Sequence, residues 1–414
     1  MILKKPSENN LYDSLLSSPS ENDTSQQLER SVTESYVNHS EKYLLGNSKN
    51  SSRQYYEMYS ARLGIMRSAV EEKIKLRWGD VKINRLHELQ EEEPCFIIGT
   101  LVKRQDLKPS ILKELSEENE LVPQPVLEKF TSDKDEIILE DELQRIQLKG
   151  KINVHELVTG IVCGVKGYEE SGGKFFVEEV CFAGVPSSIQ PSSLPNEDKF
   201  VLFISGLELQ NESVFLSLQL LIDYLTGHLG SPSEQSEICN IVRIVIAGNS
   251  ICGTGKDVPL HEKVRLAKLF DNILAQLSNF CPVDLMPGEF DPSNHVIPQQ
   301  PLHSCLFPKA SKFSFMQSVT NPYEFQLEEK IFIGTSGQNV KDIALFSAIN
   351  DPIQILENIC QWGHLAPSAP ETLHNGKKRL LLSIPKFCST GTCVRVNLKT
   401  LEIIPMKFTI IESI

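Results

Sequence analysis

The sequence has no Cys-x-x-Cys pair. Its ten cysteines are scattered, and the closest two are Cys388 and Cys393. Zinc ribbons, thioredoxin-like motifs and disulfide frameworks are excluded as organising features, and the thiols read as reduced, buried residues of an intracellular protein. No apolar run approaches the ~20 residues a membrane helix needs. The opening residues, Met-Ile-Leu-Lys-Lys-Pro, lack the apolar core of a signal peptide. Positive charge is in deficit. A net charge of −13 argues against a large phosphate-neutralising surface. What is present suffices for ordinary cores: 414 residues with 40% apolar content, which corresponds to roughly two or three domains.

Residues 1–50 are rich in Ser, Asn and Glu and poor in aromatic residues. Such a segment buries too little apolar surface to offset its ordering entropy, so a disordered tail is expected. From Gln54 to Arg77 the apolar positions Tyr55, Tyr59, Leu63, Met66, Val70 and Ile74 fall on one stripe of a long helix. Arg62, Arg67, Glu71, Lys75 and Arg77 lie off that stripe and read as a solvated face. Beyond it, Cys95 to Val102, Ile137 to Leu148, Leu157 to Val165 and Lys174 to Phe182 are strand candidates, and Ser110 is placed to cap a short helix. Periodicity by itself gives a small β domain over 51–185; one helical connection among several strands suits a Greek-key barrel of the OB type. Its aromatics, Phe96, Phe130, Tyr168, Phe175, Phe176 and Phe182, sit among more acids than bases. Core packing and a protein-binding surface are the expected uses.

A Ser/Pro linker spans 186–195, and 196–414 alternates strand and helix as an α/β sandwich does. Lys199 to Ser205, Ile241 to Ala247, Val283 to Met286 and Lys330 to Ile333 read as strands, Leu380 to Ile384 and Val394 to Leu398 as closing strands. Val214 to Leu225, Leu260 to Leu277 and the run opened by Asp351-Pro352 read as helices.

The loops after these strands carry the functional question. Pro287-Gly288 ends the Val283 strand, and a polar loop follows at its carboxyl end, where open α/β folds place ligand sites. Gly288-Glu289-Phe290-Asp291 resembles the Gly-Asn-His-Asp loop of calcineurin-like metallophosphoesterases, with Glu for the Asn ligand and Phe for the His. A working two-metal site collects Asp, His and Asn from several strand ends. Here Gly206-Leu207-Glu208 stands where Asp-x-His is expected, and Gly248-Asn249 where Gly-Asp is expected. No His occurs near Gly334-Thr335-Ser336-Gly337. Gly206, Glu208, Asn249, Glu289, Phe290 and Asp291 are therefore expected to be vestigial positions, with no catalytic residue, metal or cofactor. Gly253-Thr254-Gly255-Lys256-Asp257 lacks the spacing and the hydroxyl of a phosphate loop. His303 and Cys305 have apolar and Pro neighbours, which favours packing over a metal cluster with His295.

Several longer phrases occur in order: Ser52-Arg53-Gln54-Tyr55, Leu139 to Ile146, Met286 to Pro292, Pro298 to His303, Thr320-Asn321-Pro322-Tyr323 and Gly334 to Val340. They resemble the small, non-catalytic B-subunits of replicative DNA polymerases, closest to that of polymerase delta. The resemblance covers essentially the whole folded chain, Arg53 to Phe408. It implies a mixed α+β protein, an OB-type β-barrel beside an inactivated calcineurin-like phosphoesterase α/β sandwich. It further implies a nuclear scaffold that tethers the C-terminal cysteine-rich module of the polymerase catalytic subunit, contacts a third accessory subunit, reaches DNA only through the complex and touches no membrane. An active metal-dependent phosphoesterase or nuclease is the enzyme alternative, and a free-standing single-strand binder the third reading. One departure stands out. Between Thr372 and Leu380 the family carries a longer segment that includes a strand, whereas only residues 373–379 lie between them here, so the sandwich is expected to lack that strand.

Overall fold

A 3-4-4 spacing puts Leu63, Met66, Val70 and Ile74 on one face of a helix, and in the computed structural model all four are buried on helix α1 (Tyr56–Trp78). The residues described are 28–33, 35–46, 56–108, 127–184, 197–253, 258–369 and 380–409. They fall into two units: Gly46–Gln190 with Gly337–Ser383, and Met1–Leu45 with Pro191–Ser336 and Ile384–Ile414. The first strand, β1 (Tyr36–Asn38), belongs to the latter.

In the former unit, β2 (Ile83–Asn84), β3 (Cys95–Arg104), β4 (Glu136–Glu140), β5 (Arg145–Gly150), β6 (Val162–Glu170) and β7 (Lys174–Phe182) form a sheet in the order β2-β3-β4-β5-β7-β6, and β3 also pairs with β6. That pairing closes a five-stranded ring, the connectivity of an OB barrel. The stretch expected as one strand, Ile137 to Leu148, is two, because Asp141 accepts the amides of Leu143 and Gln144 and turns the chain. The strand expected from Leu157 begins only at Val162. Helix α1 lies against Phe96, Ile98, Val162 and Cys181. A Cβ on Gly164 would come within 2.7 Å of Ile74 Cδ1, so glycine there lets α1 approach the barrel.

Arg62 departs from the expected solvated face. It is fully buried, and its guanidinium donates to the carbonyls of Pro367 and Ala369. Arg67 and Arg77 pair with Glu142 and Glu179. Helices α5 (Gln338–Phe346) and α6 (Pro352–Trp362), numbered after α2 to α4 described below, also belong to this unit. Lys103 donates to Phe346 O, Lys129 to the carbonyls of Ser347 and Ile349, and Gly184 N to Gln361 O. Lysines thus satisfy carbonyls left open at the end of α5. The division into 51–185 and 196–414 read from the sequence therefore differs from the spatial one: residues 337–383 group with the barrel.

The other unit has three layers. A six-stranded sheet has the order β11 (Met316–Ser318), β10 (Val283–Met286), β9 (Ile241–Ala247), β8 (Phe200–Ile204), β14 (Thr392–Asn397), β15 (Ile403–Lys407). Its β8 to β11 run parallel, β14 runs antiparallel to β8, and β15 runs antiparallel to β14. One face, carrying Leu202, Ile244, Ile246 and Leu285, packs on α2 (Val214–Leu225) and α4 (Leu260–Ser278). In the chain between these two comes α3 (Pro232–Cys239), opened by a Ser231/Glu234 capping box that the sequence reading passed over. The opposite face, carrying Val201, Val245 and Ala247, packs on a three-stranded antiparallel sheet of β1, β12 (Tyr323–Leu327) and β13 (Lys330–Gly334). Burial on both faces is why β8 and β9 are apolar almost throughout.

Two charged residues interrupt the parallel strands of this sheet. Arg243 and Asp284 form a buried ion pair at 2.6 Å; Tyr323 Oη donates to Asp284 at 2.7 Å and lies 2.9 Å from Tyr36 Oη. Burial raises the Asp284 carboxyl, opposed by Arg243 and the Tyr323 hydroxyl. The Arg243 guanidinium lies 3.6 Å from the centre of the Tyr36 ring.

The expectation of a disordered tail fails for 28–33 and 35–46. Arg30 donates to the carbonyls of Leu225, Ile238 and Ile241, and β1 pairs with β12. Few side chains are used, but each has a specific partner, which composition does not report. Leu380 to Ile384, expected as a closing strand, has no strand assignment; β15 closes the sheet instead. Residues Ser110, 254–257 and the connection 373–379 lie outside the described residues.

Candidate functional site

The carboxyl ends of parallel strands β8, β9 and β10 converge, and left-handed turns direct their loops across one another. Gly206 and Gly248 have φ of 63° and 79°, Glu208 and Asn249 of 44° and 52°. Asn tolerates this region and Gly adopts it freely; Glu does so at a steric cost of about 1–2 kcal/mol. The loops are tied by backbone bonds from Gly206 N to Gly248 O (3.1 Å) and from Glu208 N to Asn249 O (3.0 Å).

Of the positions singled out in the sequence, Gly206, Glu208, Asn249, Phe290 and Asp291 are brought together here. Asp291 is buried, and its carboxylate accepts the amides of Ser250, Ile251 and Gly288, each at 3.0 Å. Burial pushes this carboxyl upward from its ordinary range, and the amide donors oppose that push. Asn249 Oδ1 accepts the amide of Phe290 at 3.2 Å. Glu208, also buried, accepts from Lys386 Nζ at 2.7 Å, and Cys388 Sγ lies 3.5 Å from its other oxygen. Glu289 is half-buried in the same loop.

Lys386 was missed by sequence reasoning, and no motif marks it. Gln299, Asn321 and Ser336 were missed too, although all three stand in phrases that carry the family resemblance. Gln299 Nε2 donates to Gly288 O, and Asn321 Nδ2 donates to Gln299 Oε1 and Ser336 Oγ. Polar residues in loops that close on a buried centre must find partners, and these do.

The arrangement does not fit a metal pair. A Cβ on Gly288 would lie 2.2 Å from Asn249 N, and one on Gly248 2.9 Å from Gly288 Cα. The loops are in close contact here, with no room between them at these glycines. Asp291 is turned onto amides, and the Glu208 carboxylate faces an ammonium. Among the described residues, no three His, Cys, Asp or Glu side chains are grouped to hold a metal ion. His295, His303 and Cys305 are exposed, which corrects the packing expected of the last two; His303 Nδ1 accepts the amide of Cys305.

Comparison with known proteins gives this geometry its context. Residues 54–180 match the family described as DNA polymerase delta subunit OB-fold domain, and 201–387 match the B-subunit family of DNA polymerases alpha and epsilon. The DNA polymerase delta small subunit of Oryza sativa subsp. japonica is 37% identical over 425 residues, covering 92% of this chain and 99% of the relative. That span exceeds the 414 residues of this chain, so the relative carries residues with no counterpart here. DNA polymerase delta subunit 2 of Drosophila melanogaster is 33% identical, covering 86% of this chain and 94% of its own length. The Saccharomyces cerevisiae DNA polymerase delta small subunit is 29% identical, covering 84% and 88%. An OB barrel where the first match lies, an α/β sandwich where the second lies, and relatives matched over nearly their whole length lead to one assignment: the chain belongs to the family of DNA polymerase delta small subunits.

Proposed function

We propose that this chain is a non-catalytic scaffold in the DNA polymerase delta assembly, and that its sandwich is a calcineurin-like phosphoesterase fold whose metal site has been replaced by internal bonds. The observation that carries the reading is the Asp291 carboxylate, turned onto three backbone amides at the strand ends. A two-metal hydrolase needs several donors aimed at a common, roomy point with a water between the ions. Here the acids are spent on the protein itself, and Lys386 supplies the positive charge beside Glu208. On this reading Gly206, Glu208, Asn249, Glu289, Phe290 and Asp291 are remnants whose present work is structural.

The proposed partners are the C-terminal cysteine-rich module of the polymerase delta catalytic subunit and a third accessory subunit, and the place of work is the nucleus. The relatives' names, small subunit and subunit 2, support an accessory role. The test is co-purification of this chain with tagged catalytic subunit, read by mass spectrometry, together with a phosphodiesterase assay in Mn²⁺ or Mg²⁺. Stoichiometric recovery and no turnover are expected. Turnover that follows the protein through purification and disappears in Asp291→Ala overturns the non-catalytic reading; failure to recover the catalytic subunit overturns the scaffold.

A further inference from the structure

Sheet edges offer unpaired N–H and C=O groups, and proteins blunt them with short strands, proline, bulges or charge. Among the described residues, most edges are blunted in this way. Strand β11 is three residues long, Met-Gln-Ser, and β1 is also three. Strand β15 carries Pro405 at its centre and ends in Lys407. In the barrel, the appended β2 is two residues. Strand β13 differs. It is five residues long, Lys-Ile-Phe-Ile-Gly, contains no proline, and pairs with β12 in unbroken register. On its other side no strand pairs with it among the described residues. Its outward face is apolar: Ile331 is 40% exposed, and across β12 on the same face lies Val37, 48% exposed.

We propose that β13 is a self-association edge, pairing antiparallel with β13 of a second copy of this chain about a two-fold axis at Phe332. The sequence of the strand selects this occupant. With Phe332 on the axis, Ile331 faces Ile333 of the second copy on the outward face, as cross-strand β-branched pairs favour. Lys330 falls opposite Gly334 of the second copy, so no like charges meet. Nothing lies within 4 Å of where a Gly334 Cβ would be, which leaves room for the lysine. Phe332 already stacks on Phe325, with centroids 4.9 Å apart and planes 9° apart. A second Phe332 beside it prolongs that aromatic row through the interface. The two three-stranded sheets become one of six strands. This proposal does not depend on the scaffold reading.

The experiment is sedimentation velocity on the full chain from about 1 to about 200 μM, with hydrogen exchange read at residues 330–334. A single strand pair is a small interface, so a dissociation constant on the order of 10 μM is expected. The 330–334 amides should gain protection as concentration rises. Ile331→Lys, a charge on an exposed position, should weaken the dimer by about tenfold or more while leaving the melting temperature in place. Leu216→Lys, a charge at an exposed apolar position of α2, should leave dimerisation unchanged. A monomer at every concentration overturns the proposal, as does a dimer that Ile331→Lys leaves intact. Protection of 330–334 that arises only on adding the polymerase catalytic subunit also overturns it and assigns the edge to a different polypeptide.

Discussion

Replacing Asp291 by alanine separates a structural remnant from a catalytic group. The substitution removes the acceptor of three amides, those of Ser250, Ile251 and Gly288, in a loop cluster where Asp291 and Ser250 are buried. A buried donor left without a partner costs about 1–3 kcal/mol. The three share one carboxylate and will not add fully, so the expected loss is about 3–5 kcal/mol. In a unit of this size that is a fall in melting temperature of roughly 10 °C. Asp291→Asn keeps an oxygen in place and should lose about half as much. The assay is thermal and urea unfolding of both variants beside the parent protein, followed by circular dichroism. If Asp291→Ala melts within about 2 °C of the parent, the carboxylate is not holding the strand ends together, and the account of the site as an internal knot is wrong.

Two further substitutions probe the sandwich. Arg30→Ala removes the guanidinium that binds three carbonyls and sits 5.0 Å over the Phe280 ring; a loss of about 2–3 kcal/mol is expected, with faster proteolytic cleavage within 28–46, and an unchanged melt and digestion pattern would refute the docking of this segment. Tyr323→Phe takes the hydroxyl from Asp284 but leaves the Arg243 pair; the urea midpoint should fall by the equivalent of about 1–3 kcal/mol with no change in slope, and a midpoint that does not move would place the whole burden on the ion pair.

Those two substitutions also mark where the sequence was legible and where it was not. The strands β8, β9 and β10 and the helices α1, α2 and α4 were legible because apolar periodicity reports burial directly. Arg243 in Ile-Val-Arg-Ile-Val-Ile and Asp284 in Val-Asp-Leu-Met carried a signal that went unused: a charge inside an otherwise apolar strand must find a partner. The segment 28–46 was illegible for a different reason. It docks through Arg30, Tyr36 and Ser40, each bonded to residues some two to three hundred positions away, and local composition carries no trace of such pairing. Arg62 is a third case, since a charged residue beside a helical stripe gives no hint that backbone carbonyls from residues 367 and 369 will reach it.

The candidate site was legible as a set of loop positions but not as a structure. On the resemblance, Phe290 and Glu208 stand where histidines are expected, but that does not tell what the polar groups of these loops do. Buried polar groups must be satisfied, and these strand-end loops carry amides and carboxylates that need partners. Asp291 meets three amides, Asn249 meets the amide of Phe290, and Lys386 meets Glu208. These bonds join loops from different strands and tie the ends of β8, β9 and β10 to one another. For the proposed scaffold, rigid strand ends are an advantage, because ordering a loop on binding costs affinity. A residue such as Lys386, far along the chain and in no motif, becomes visible only once the carboxylate it neutralises has been placed.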